Sequence, residues 1–162
     1  MRHKTMTRKL HKSLLAFFFL LASTSTLAQD ESLMTYDMAM QAMAATEAYA
    51  RDQGWNVTIL ITDQMGNPVM LHRIDGAGGR TFEFASRKAL VVNETGISSG
   101  EYGRRVGAGE MEEIEGGVTF AGGVPIFVDG QRVGAIAVSG VTAAQDEEAA
   151  LAGVEAVGSA SN

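Results

Sequence analysis

Downstream of residue 34 the chain switches between two hydrophobic periods. Residues 36–53 carry Ala and Met at helical spacing around much of the circumference. Thr35 stands where a cap is needed, Asp37 lies in the first turn, and Gly54 follows the end. The spacing predicts a helix that packs on a sheet and also faces a second subunit. Residues 57–62 and 69–74 then read as strands joined by the turn Gln64-Met65-Gly66-Asn67-Pro68. After a loop at 75–79, the apolar positions Phe84, Ala85, Ala89 and Val92 predict a second helix, opening at Arg80 or Thr81 and running to about Asn93. Residues 94–115 mix glycines and acids and hold one short helix. Thr142 and Gln145 have the spacing of a capping box, and Leu151, Val154 and Val157 give the last helix its apolar stripe before Gly158.

Between Gly116 and Gly140 lies a glycine-studded block, GGVTFAGGVPIFVDGQRVGAIAVSG, whose other residues are mostly β-formers. Glycine weakens a strand interior, so this density marks turns, bulges or close backbone approach. The block predicts three strands, with Asp129-Gly130 as a hairpin turn. The resulting order, α-β-β-α-(α)-β-β-β-α, is an α+β domain with a mostly antiparallel sheet of about five strands flanked by helices. Positions without side chains on that sheet would leave a shelf for a flat ligand.

The N-terminus changes the picture of the compartment. Arg2, Lys4, Arg8, Lys9 and Lys12 precede the apolar run SLLAFFFLLAS, and Thr26-Leu27-Ala28 ends in small residues. This is the pattern of a signal peptide cleaved after Ala28, too short in its apolar part to span a bilayer. It predicts a periplasmic or secreted protein: a short disordered start at 29–34, then one domain over 35–158. Removing five of 13 Lys+Arg leaves 8 against 19 Asp+Glu, a net charge of −11 on 134 residues. Such a chain repels nucleic acid and anionic membrane surfaces, so neither is an expected partner. The absence of cysteine removes thiol catalysis, Fe–S clusters and thiolate zinc sites.

His72 is the single histidine beyond residue 28, in strand phase with Met70 and Ile74. As the strongest nitrogen donor available it is the candidate metal ligand, with a Tyr102 phenolate as the weaker alternative. Arg73, Arg80, Arg87 and Lys88 concentrate half of the eight cations of residues 29–162 in one stretch, which suits an anionic ligand. Asp75 before Gly76 can shape the loop there. Phe120 can stack on a flat ring or pack in the core. The amides of Gly122-Gly123 can bind an anion or make a bend. Glu110, Glu112, Glu113 and Glu115 have spacings that could hold a cation on a helix, though a solvated acidic surface is the plainer reading. No nucleophile elbow, phosphate-binding P-loop or dinucleotide fingerprint is present, and no catalytic residue is assigned.

The segments ILITDQMGNPVMLHRIDGAG (59–78), SRKALVVN (86–93) and the block at 116–140 together resemble the GlcG/HbpS family, the haem-binding or "haem-degrading" domain related to the C-terminal domain of PduO-type adenosyltransferases. The resemblance covers roughly the whole chain after residue 28. It implies a profilin- or PAS-like fold, homo-oligomers, and haem or a related tetrapyrrole as cofactor, with His72 as the candidate axial ligand of its iron and Tyr102 as the weaker alternative. It also implies that Ser99 lies in the loop lining the family's ligand pocket. Arg73, Asp75, Arg80, Lys88, Ser99, Phe120, Gly122 and Gly123 form the expected ligand site. Two other functions stay open: an exported enzyme or accessory subunit that acts on small hydroxy acids or aldehydes or degrades haem, and a sensing or assembly module without catalysis.

Overall fold

The computed structural model describes residue 1 and residues 33–161. Apart from residue 1, the expected signal segment lies outside the described residues, and so does most of 29–34. Eight elements follow in order: α1 (Tyr36–Asp52), β1 (Thr58–Asp63), β2 (Pro68–Arg73), α2 (Thr81–Thr95), α3 (Ser99–Gly107), β3 (Gly123–Val128), β4 (Gln131–Ser139) and α4 (Ala143–Glu155). The strands form one antiparallel sheet in the order β2-β1-β4-β3.

Local chemistry sets the boundaries. Thr35 accepts from the Met38 amide at 3.2 Å, and the capping box of Thr142 with Gln145 opens α4. Gly96, at φ 74°, ends α2 in the left-handed conformation. Asp129 and Gly130 both have positive φ, as a tight hairpin between β3 and β4 requires.

Alternation along the strands separates two layers. On one face Ile59, Ile61, Ile126, Ile136 and Val138 pack against Ala39, Ala42 and Met43 of α1 and Ala149, Ala150 and Val154 of α4. Burying each such branched side chain contributes roughly 1.5–3 kcal/mol. The other face is thinner: Leu60 and Ala137 meet Ala85 and Ala89 of α2. These alanines bring α2 close over β1, β3 and β4 but leave the edge strand β2 uncovered on that side.

Three expectations are corrected. The sheet has four strands rather than about five. The segment 117–121, expected as a strand, is irregular and crosses α3 so closely that a Cβ on Gly103 would lie 1.9 Å from the Thr119 carbonyl oxygen. The free edge of β3 is taken instead by the C-terminal tail, through two backbone hydrogen bonds between Phe127 and Ser159. Second, Met34 is not part of a disordered start: it is 2% exposed, with its methyl beside Gly134. Third, the glycines leave no open shelf. A Cβ on Gly122 would meet Lys88, one on Gly134 would meet the Thr62 carbonyl, and one on Gly140 would meet the Asn56 carbonyl.

Candidate functional site

The expected site residues fall into three places. In the first, α2, α3, β3 and the start of α4 enclose a buried polar cluster. Lys88 is fully buried, and its Nζ donates to Asp146 Oδ2 at 2.7 Å and to the Val138 carbonyl at 2.8 Å. The ammonium also lies 5.3 Å from the centre of the Phe120 ring. Burial pushes Lys88 down from its ordinary range and Asp146 up, while their mutual attraction opposes both shifts. Gly122 (φ 118°) lets the chain pass over the Lys88 ammonium, where a Cβ would sit 2.5 Å from Nζ. The Gly123 amide donates to the buried Ser99 hydroxyl at 2.9 Å. Lys88, Ser99, Gly122, Gly123 and Phe120 thus do come together, but as an internally satisfied hub. Asp146 is the member that the sequence reasoning missed; its position in the first turn of α4 was the available signal.

The second place is the loop from β2 to α2. The Arg73 guanidinium donates to the Ala77 carbonyl and closes the turn that Gly76 (φ 90°) makes possible. Asp75 sits exposed in that turn. Arg80 pairs with Glu83 at 3.1 Å and lies over the Phe84 ring. Arg87 is spent on the carbonyls of Gly116 and Gly117, at 2.9 Å each. The four cations of the 73–88 stretch therefore do not converge on one ligand. Tyr102 is also committed: its hydroxyl is accepted by the Glu112 carbonyl at 3.3 Å and itself accepts from the Ile114 amide at 2.6 Å, and the residue is 1% exposed. Glu110 pairs with Arg104, and no group of three metal-ligating side chains occurs among the described residues.

The third place is the α1 side of β2. His72 pairs across the sheet with Ile59, so it points to the α1 face, opposite to Leu71 and Arg73. Its Nδ1 lies 3.0 Å from Glu47 Oε2, and the side chain is 37% exposed. The other oxygen of Glu47 is held by Arg51 at 2.6 Å. Nε2 has no partner among the described residues. The contact orients the ring through Nδ1 and leaves Nε2 as the nitrogen that faces outward, the arrangement in which a carboxylate positions a ligating imidazole. Met70 shares the face of β2, and Tyr36 and Met40 lie exposed along α1. Glu47 was not singled out in the sequence; its place on the α1 stripe one turn before Arg51 was the only signal.

A family model described as haem degrading protein HbpS-like matches residues 34–155. The chain belongs to this HbpS-like family. Protein GlcG of Escherichia coli K12 is 32% identical over 117 residues, which is 66% of this chain and 81% of that protein. A crystal structure of a double mutant of HbpS from Streptomyces reticuli superposes with a TM-score of 0.73 at 30% identity, covering 85% of this chain and 94% of the other. A crystal structure of a PduOC–haem complex has a TM-score of 0.68 at 21% identity, covering 79% and 98%, a likeness of fold. The HbpS-like family thus accounts for the α+β architecture and the antiparallel sheet.

Proposed function

We propose that this protein binds haem or a related iron tetrapyrrole, with the His72 imidazole as axial ligand. The observation that carries the proposal is the contact of His72 Nδ1 with Glu47, which presents a half-exposed ring with an unpartnered Nε2. One protein nitrogen suffices for a haem, because the porphyrin fills the equatorial positions; a bare cation would need further side chains. Met70, two residues before His72 on the same face of β2, offers a polarisable contact to a flat ring. Arg51, tied to Glu47, is the cation on this side. Bound haem would supply a redox-active iron; the chain's residues hold and orient the imidazole and cover one face of the ring. The His72 side chain is 37% exposed, so we assign the covering of the rest of the ring to another copy of the chain, in keeping with the expected homo-oligomer. Residues 1–28 serve in this reading as the signal that exports the protein to the periplasm or beyond.

Titration of the mature chain with hemin tests the reading. A saturable Soret band at micromolar protein is expected, lost or shifted in His72→Ala. Glu47→Gln should weaken binding about 10–100-fold, the range for removing a carboxylate behind a ligating histidine. No saturable band would refute the proposal. Bleaching of the band with reductant and oxygen present would make the protein an enzyme of haem breakdown instead.

A further inference from the structure

On the α2 side of β2, away from His72, the uncovered edge strand and the outer stripe of α2 enclose a groove of about 570 Å³. Its walls are Leu60 and Leu71 from the strands and Phe82 and Leu90 from the helix, with Met65 of the β1–β2 turn at one end. Met65, Leu71 and Phe82 are 45%, 51% and 50% exposed, an unusual concentration of open apolar surface. The volume lies within the range of small-molecule sites.

The polar groups in the groove decide what it can take. Ser86 donates to the Phe82 carbonyl. Asn93 is tied to Thr62 and to the guanidinium of Arg132. Glu94 is the one ionisable residue of the lining, and it has no ion pair or hydrogen bond among the described residues. No Lys, Arg or His lines the groove. The nearest cation, Arg132, stands behind Asn93 and outside the lining, with its guanidinium held by Asn93 and the Gln64 carbonyl, so an anionic head in the groove would meet the Glu94 carboxylate first. A cationic amphiphile would bury its apolar body between Leu71 and Phe82 and set its head group near Glu94.

We propose that this groove is a second ligand site, for small molecules with an apolar body and an ammonium head. It lies on the opposite face of β2 from His72 and does not depend on haem binding. The test is ¹⁵N NMR titration of the mature chain with octyltrimethylammonium, octanol and octanoate at equal concentrations. Saturable shifts confined to the β1–β2 turn, β2 and α2 are expected. Affinity should run ammonium first, octanol next, octanoate last. Leu71→Asp, at a solvent-exposed position, should lower affinity for octanol at least tenfold, because it sets a charge in the apolar wall. Glu94→Gln should lower ammonium affinity about two- to fivefold, the range of one exposed ion pair, and leave octanol unchanged. Octanoate binding as tightly as the ammonium, shifts scattered over the whole surface, or full octanol affinity in Leu71→Asp would overturn the proposal. A Soret band unchanged by saturating ammonium is expected; its loss would contradict the separation of the two sites.

Discussion

Removing the ammonium of Lys88 breaks a buried ion pair. In Lys88→Met the Asp146 carboxylate keeps its buried position and its hydrogen bond from the Val141 amide at 3.1 Å but loses the counter-charge 2.7 Å away. Stranding one member of a buried pair costs about 3–5 kcal/mol. For a domain of this size that corresponds to a fall in Tm of roughly 10–20 °C. Asp146→Leu should be similarly harmful, since it strands the ammonium. The double variant leaves no buried charge. It loses the backbone hydrogen bonds to Val138 and Val141, about 1 kcal/mol each. Its destabilisation should therefore be well below the sum of the singles, with a coupling energy of at least about 2 kcal/mol in urea unfolding. Additive singles, or a Lys88→Met variant within about 1 kcal/mol of the parent, would refute the view of this pair as a buried, mutually dependent hub.

Three further outcomes follow from single contacts. Tyr102→Phe strands the Ile114 amide and should cost about 1–3 kcal/mol in urea unfolding, with little change in the sheet. Gly103→Ala would drive a methyl to 1.9 Å from the Thr119 carbonyl oxygen, so increased exchange of amides in 117–121 is expected at 25 °C. Glu101 accepts hydrogen bonds from Arg104 and Arg105, which bring its pKa down to about 2. A folded-state value below the unfolded one stabilises the protein above pH 4.5, and that contribution is lost as the pH falls towards 2. Carbon-detected NMR should show the Glu101 carboxyl titrating near pH 2; a midpoint near 4.5 would remove the claim.

How much of this was legible in the sequence varies with the range of the interaction. Caps and turns act within a few residues, so Thr35, the Thr142–Gln145 box and the Asp129-Gly130 hairpin were readable directly. Lys88 was misread as a ligand cation because residue type was weighed over position. Thr81, Ala85, Lys88, Ala89 and Val92 all lie on the buried stripe of α2, and that spacing was the signal of a buried lysine. The glycines do not pave a floor for a ligand, because Gly122, Gly123, Gly134 and Gly140 make room for residues far along the chain, such as Met34 over Gly134. The pairing of His72 with Glu47 joins residues 25 apart through the packing of α1 on an edge strand. The strand phase gave the side of the sheet on which His72 stands, but not its partner. The groove was illegible because it arises from what α2 fails to cover.

The central claim is that one imidazole, presented by Glu47, takes the iron of a tetrapyrrole. Its most direct measurement is the absorption and electron paramagnetic resonance of hemin with His72→Gly, before and after millimolar imidazole is added. The account predicts a lost or five-coordinate, weakly held spectrum that free imidazole restores to that of the parent. A parent-like spectrum in His72→Gly without imidazole would contradict it.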